Sequence, residues 1–227
     1  MFASVIYPYE LYTAANGHLY AGVYYQDSTG QGWRIYRSTN DGATWQIIVT
    51  QRNEYIDCFY LTATDTLLVG TEYGLYIAAA DGSGYTYSAF DRATQFAATA
   101  DGRIYLATSS GLMISSDNGN TWQATGLSSN VFAVAVNQEG TLFTASFGSY
   151  LCSTNGGVTW TNIQSGIPTI YTSSYIVQPS IGILYDGSLG YGVYRSINTT
   201  LAASEPTTIP GDILLTRIIQ IHSMAPR

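Results

Sequence analysis

Three eight-residue segments of this chain are variants of one pattern. Ser38 to Trp45 reads STNDGATW, Ser115 to Trp122 reads SSDNGNTW, and Ser153 to Trp160 reads STNGGVTW, a shared S-x-[ND]-x-G-x-T-W. The second and third copies begin 38 residues apart and the first and second 77 apart, which leaves room for one more unit between them. A degenerate copy fills that interval: GLYIAAADGSGYTY, from Gly74 to Tyr87, keeps the Asp-Gly turn and an aromatic in place of Trp. A fifth, GVYRSINTT from Gly192, starts the same way and then loses the pattern. A repeat of roughly 40 residues constrains the fold more than any other feature, because each unit is too small to bury its own apolar faces and must stack on its neighbours.

Ahead of each copy the chain alternates short apolar runs with turns, as in QFAATA, RIYLATS and GLMISSD before TWQATG. Four short strands per repeat describe one propeller blade. First strands are expected near Leu11, Ile56, Gln95, Val131 and Tyr175, and second strands near Leu19, Leu67, Arg103, Leu142 and Ile183. The fold class is therefore all-β, a β-propeller of about five four-stranded blades in a single domain over residues 1–227. The alternative is six blades, one incomplete or completed by another chain. Either MFASVIY or DILLTRIIQIHS could supply the outer strand of the fifth blade, the second of these reading also as the first strand of a sixth.

Composition fits strands and tight turns: 20 Tyr and 23 Gly, and eight basic residues that are all Arg. A chain of this size buries roughly 70 to 75% of its unfolded surface, so no disulfide or metal is needed to hold it. Cys58 and Cys152 read as small buried hydrophobes. The net charge of −7 and the pI near 4.5 argue against nucleic acid, which is held by clustered Lys and Arg. No run approaches the ~18 apolar residues of a membrane span, so no membrane insertion is expected, and the first residues do not read as a signal peptide.

With these residues in view, the chain resembles the Asp-box, or bacterial neuraminidase repeat, propellers, which include sialidases, xyloglucanases, sortilin-like receptors and photosystem assembly factors. Within the pattern the Asx side chain (Asn40, Asp117, Asn155) is expected to accept bonds from amides ahead of it, and the glycine (Gly42, Gly119, Gly157) to adopt positive φ. The leading serines (Ser38, Ser115, Ser153) share this structural role, and Trp45, Trp122 and Trp160 are expected to bury about 200 Å² each. The resemblance places these hairpins on the face opposite any ligand. No cofactor and no metal site are expected.

The ligand face should instead collect the loops joining second to third strands and each blade to the next. The strand assignment brings there Tyr24, Tyr25, Gln26, Asp27 and Trp33, then Arg52 and Glu54, Glu72 and Tyr73, Asp91 and Arg92, Ser109 and Ser110, Phe147 and Tyr150, and finally Asp186 and Tyr191. Aromatic rings beside single carboxylates and amides suit sugars, whose rings offer apolar faces and whose hydroxyls take directed hydrogen bonds.

Catalysis is not expected. The resemblance implies an arginine triad and a Tyr–Glu nucleophile for a sialidase, but Arg37, Arg103 and Arg195 fall near the opposite face and leave only Arg52 and Arg92. Carboxylate pairs such as Glu54 with Glu72, or Asp27 with Asp186, would be needed for a glycoside hydrolase. His18 and His222 are too few for a metal or triad site. The reading is a lectin-like, non-catalytic module that binds glycans through loops on one face. The alternative is a structural or assembly propeller binding another protein, for example in a virion or other large particle, with a homo-oligomer or larger assembly and an extracellular or particle-surface role.

Overall fold

The computed structural model describes residues 5–14, 16–28, 30–89, 91–146, 149–163, 173–177, 184–188, 192–196 and 215–219. Among them there is no helix, and twenty strands form five antiparallel sheets of four. The first contains β1 (Val5–Thr13), β2 (Leu19–Asp27), β3 (Gly30–Ser38) and β4 (Gln46–Arg52). The second contains β5 (Ile56–Leu61), β6 (Thr66–Thr71), β7 (Gly74–Ala79) and β8 (Tyr85–Ala89). The third contains β9 (Ala93–Ala98), β10 (Ile104–Thr108), β11 (Gly111–Ser115) and β12 (Gln123–Ala124). The fourth contains β13 (Ala133–Val136), β14 (Leu142–Ser146), β15 (Ser149–Ser153) and β16 (Thr161–Asn162), and the fifth β17 (Ser173–Val177), β18 (Tyr185–Ser188), β19 (Gly192–Ser196) and β20 (Leu215–Ile219). Each sheet is a simple meander in chain order.

The fifth sheet resolves the choice between the termini. β20, from the segment DILLTRIIQIHS, pairs antiparallel with β19 through Arg195↔Thr216 and is its outer strand. It does not open a sixth sheet, and none exists among the described residues. The N-terminal segment instead pairs with β2 as the first strand of the first sheet.

Burial is greatest in the second strands. Every residue of β10 and of β14 is buried, as is β6 beyond its first, so these second strands are covered on both faces and read as continuous apolar runs rather than alternating ones. The short outer strands β12 and β16 are exposed. The chain divides into two compact units, one of residues 1–94 with 118–120 and one of the remainder, the divide falling inside β9. The core of the first gathers Tyr20, Trp33, Ile35, Ile56, Phe59, Leu67 and Tyr76. In the second, Phe143, Tyr150, Cys152, Ile163 and Leu184 form one cluster and Tyr105, Leu112, Val131, Val134 and Leu142 another. Cys58 and Cys152 are free and buried, and burial pushes both thiols above their usual range.

The S-x-[ND]-x-G-x-T-W segments are the hairpins between third and fourth strands, and their chemistry is local. Ser38 Oγ donates to Asn40 Oδ1 at 3.0 Å and accepts from Gly42 N at 2.9 Å, while Asn40 Oδ1 accepts from Thr44 N at 2.9 Å. Ser153, Asn155, Gly157 and Thr159 repeat these bonds, and Asp117 accepts from Thr121 N and, at 2.6 Å, from Thr121 Oγ1. Two successive residues take positive φ in each turn: Asp41 and Gly42, Asn118 and Gly119, Gly156 and Gly157. Gly, Asn and Asp are the residues that tolerate that conformation. The tryptophans depart from expectation. Trp45 remains 40% exposed, with its Nε1 donating to Gly42 O at 3.0 Å, so it caps the turn more than it fills a core. Trp160 makes the same bond to Gly157 O, and it and Trp122 are half-buried.

Candidate functional site

Three first strands carry the same irregularity. In β1 the pairing steps from Pro8↔Val23 to Glu10↔Gly22, in β5 from Ile56↔Thr71 to Cys58↔Gly70, and in β17 from Ser173↔Ser188 to Tyr175↔Gly187. Tyr9, Asp57 and Ser174 are thus bulged residues, and in each case the next pair opposes a glycine. At Gly22 a β-carbon would stand 2.8 Å from Ile56 Cδ1, the movable end of a side chain, whereas at Gly70 one would stand 2.6 Å from Cys58 Sγ and 2.9 Å from the Ala93 carbonyl oxygen, so the close approach demands glycine at Gly70. A bulge bends its strand and re-aims a side chain, which is why bulges collect beside binding sites.

Tyr9 and Asp57 meet in the first unit, where Tyr9 Oη donates to Asp57 O at 2.9 Å. With Tyr24, Trp33, Tyr55, Ile56 and Arg92 they line a pocket of about 370 Å³, within the range of small-ligand sites. Arg92, just ahead of β9, grips Asp57 with both arms: Nε donates to Oδ2 at 2.8 Å and Nη2 to Oδ1 at 2.6 Å. That hydrogen bonding holds Arg92 more basic than usual against the opposing effect of burial. Burial raises the Tyr9 phenol, and the neighbouring Asp57 carboxylate adds to it.

The aromatic wall follows from strand periodicity. Tyr24 and Trp33 are directly opposed across β2 and β3, hence on one face of the sheet. Asn53, at φ 59°, donates its amide to Gln31 O at 3.0 Å, tying the β4–β5 connection back to the hairpin. Tyr55 then stacks on Tyr24, with centroids 5.4 Å apart and planes 10° from parallel. Tyr24 Oη donates to Gln31 Oε1, and Tyr55 is half exposed. Trp33, only 1% exposed, packs edge-on against Tyr76 at 5.4 Å, and its indole N–H is buried with no partner. Tyr76 in turn donates to Glu54 Oε1 at 3.1 Å, and burial together with that carboxylate pushes its phenol far above the usual range.

Of the residues expected at the ligand face, the structure brings Tyr24, Trp33 and Arg92 together. Tyr25, one residue from Tyr24, points to the other face of the sheet and is 1% exposed under the Arg34 guanidinium, which sits 3.6 Å from its ring centroid and pairs with Asp27 at 3.2 Å. Its ring is core, not ligand surface, and so is Tyr150, buried in β15. Gln26, Arg52, Tyr73 and Asp91 are exposed and Glu72 half-buried, and none of them is in the pocket lining, although the Glu72 carboxylate is near enough to Arg92 to make it more basic. Ser109 and Ser110 form the β10–β11 turn in the second unit, where Ser110 N donates to Thr108 Oγ1. Phe147, Tyr191 and the side chain of Asp186 lie outside the described residues. Arg37 meets His18 and Arg103 meets Asp101 instead of converging on a ligand.

Sequence reasoning missed Tyr9, Tyr55, Ile56 and Asp57. Pro8 was a usable signal, since proline inside a strand marks an edge or bulge and here precedes the bulged Tyr9. Nothing local announced Asp57. Among the described residues no three His, Cys, Asp or Glu gather as a metal site would require, and no helix is long and apolar enough to cross a membrane.

Residues 70–182 match the family model described as the DUF6242 beta propeller domain. No curated protein matches the chain. Among solved structures, the chain is similar to the extracellular domain of the one-component system BT4673 from B. thetaiotaomicron, with a TM-score of 0.65 at 13% identity over 86% of this chain and 28% of that one. It is similar to an ancestral GH74 enzyme, with a TM-score of 0.59 at 23% identity over 82% and 29%. YCF48 from Cyanidioschyzon merolae gives 0.57 at 13% identity over 79% and 64%. The chain thus spans less than three tenths of the length of the first two structures. At these identities the likeness shows the fold, a β-propeller built of the sheets described above.

Proposed function

We propose that this β-propeller is a non-catalytic recognition module of the Asp-box type whose pocket in the first unit binds a saccharide. The observation that carries the reading is the Tyr24–Tyr55 stack beside the fixed Asp57–Arg92 pair. An aromatic wall takes the apolar face of a sugar ring, and planar charged groups locked in place take its hydroxyls. The pocket lining contains a single carboxylate, Asp57, and Arg92 occupies both of its oxygens. Two-carboxylate hydrolysis needs a second acid facing the first, so binding without turnover is the better reading. The extracellular-domain neighbour supports a role outside the cell.

The test is a glycan array followed by calorimetry on wild type, Tyr24→Ala and Tyr55→Ala. Tyr25→Ala would report damage to the core instead, because that ring is buried. Binding weakened at least tenfold in both variants is the expected result. A blank array, or turnover of glycosidase substrates, would sink the reading.

A protein partner is the second reading, and one observation favours it. Tyr85 and Tyr87 on the outer strand β8 are about half exposed, and Tyr73, whose carbonyl accepts from Tyr87 Oη at 2.6 Å, is 55% exposed. Grouped exposed aromatics mark interfaces. A second copy of the chain is the first partner to test, by light scattering over a concentration series. Loss of self-association in the double variant Tyr85→Ser, Tyr87→Ser would support it, and a monomer at every concentration would count against it.

A further inference from the structure

We propose that the outer edge of Arg92 is the specificity determinant of the pocket and takes the carboxylate of an acidic saccharide such as a uronate, an inference that rests on the carbohydrate reading above. An arginine can meet a carboxylate with parallel N–H groups along two edges, one formed by Nε and a terminal nitrogen, the other by both terminal nitrogens. Asp57 uses the first, through Nε at 2.8 Å and Nη2 at 2.6 Å. The second, made by Nη1 and the remaining hydrogen of Nη2, points away from Asp57, and the Arg92 side chain is 57% exposed. Arg92 is the only cation among the described residues that line the pocket.

Asp57 makes that edge a fixed feature. Its side chain is 13% exposed at the bulged position of β5, its own carbonyl accepts from Tyr9 Oη, and two bonds to one carboxylate fix the plane of the guanidinium. A ligand therefore meets a donor pair already in place, and less freedom is lost on binding than with an untethered side chain. Asp57 is a positioning residue, and Arg92 is the group that touches the ligand. Arg34 does not compete for this role, because it is engaged by Asp27 at 3.2 Å, sits over the Tyr25 ring and lies outside the lining.

Negative charge around the site limits the strength of such a contact without closing it. Asp57 and Arg92 offset one another, and Glu72, whose charge reaches Arg92, forms no ion pair with it. The chain's net charge of −7 acts at longer range, where salt screens it over about 10 Å at 0.1 M. Beside the guanidinium stand groups for the rest of a sugar. Tyr9, 57% exposed and close enough to Arg92 to feel its charge, has donated its proton to Asp57 O and keeps lone pairs for a hydroxyl. Tyr55, 54% exposed, offers ring surface. Partners for a carboxylate, a hydroxyl and a ring face in one pocket suit an acidic sugar better than a neutral one.

The experiment is calorimetry at low salt with oligogalacturonates, oligomannuronates and sialyllactose, each beside its methyl ester, which keeps the sugar and removes the charge, and with neutral cello- and manno-oligosaccharides. Wild type is expected to bind at least one free acid tenfold or more tighter than its ester, with a preference that shrinks as salt is raised. Arg92→Gln should bring the ratio of acid to ester affinity to within about twofold of one. Arg92→Lys, which keeps the charge and loses the fork, should retain only part of the preference. Thermal melts matching wild type establish that both variants are folded. Esters bound as tightly as the acids, an acid preference that survives in Arg92→Gln, or binding of neutral sugars alone overturns the role of Arg92 while leaving the carbohydrate reading standing. Full preference in Arg92→Lys overturns the two-nitrogen contact. Binding of no sugar, acidic, esterified or neutral, overturns both readings, and capture of a peptide by its C-terminal carboxylate in that case would assign the fork to a protein partner.

Discussion

Tyr9 and Asp57 are the bulged residues of two successive first strands, and the hydroxyl of one donates to the carbonyl of the other at 2.9 Å. Two defects of pairing that would each leave an unpaired residue thereby become one contact, and the pocket forms beside it. Tyr9→Phe removes only the hydroxyl. It should lower unfolding free energy by about 0.5–1.5 kcal/mol, the ordinary net worth of such a bond, and chemical denaturation will show it as a reduced midpoint at constant slope. No change in midpoint would mean the bond is incidental.

The glycines opposite the bulges should respond unequally to alanine. At Gly22 the new methyl meets Ile56 Cδ1, the end of a flexible side chain, whereas at Gly70 it meets Cys58 Sγ and, at 2.9 Å, both the side chain and the carbonyl oxygen of Ala93. Overpacking costs of about 1–3 kcal/mol are expected for Gly70→Ala and less for Gly22→Ala. Adding Ile56→Val should restore most of the loss at Gly22, while Cys58→Ala should restore only part at Gly70, because the Ala93 backbone stays. Thermal melts of the four variants decide this.

Truncating Trp33 tests the floor of the pocket. Trp33→Ala empties a fully buried site packed on Tyr76 and should cost about 3–5 kcal/mol. Trp33→Phe should cost far less, because it also removes an indole N–H that is buried without a partner. Equal losses in the two variants would show that the N–H is satisfied in solution.

Asp101 provides a pH signature in the second unit. Thr99 Oγ1 and Arg103 both donate to its carboxylate, which holds its pKa at about 2. A depressed value in the folded state means that the carboxylate's contribution is complete above the ordinary Asp range and disappears as pH falls toward 2. Carboxyl NMR should find Asp101 ionised at pH 3, and Asp101→Asn should flatten the stability profile between about pH 4 and 2. Titration of Asp101 near its ordinary value would refute this.

Much of the fold is legible in sequence because the hairpin chemistry is contained in eight residues. Ser38, Asn40, Gly42 and Thr44 satisfy one another with bonds no longer than four positions, so the same letters produce the same turn three times. Strand order follows, since each short strand pairs with the next. Periodicity likewise separates Tyr24 from Tyr25 onto opposite faces, but it cannot say which face is core. That depends on what packs there: Arg34 over one ring and Tyr55 against the other. The use of the C-terminal segment was equally undetermined until β19 offered it an edge. The pocket belongs wholly to tertiary structure. It joins Tyr9 to Asp57 across 48 residues and Asp57 to Arg92 across 35, and it exists because two bulges shift strand phase, a displacement decided by the packing of one sheet on the next. Local bonds are written in adjacent letters, whereas the phase of a strand is set by distant atoms competing for the same space.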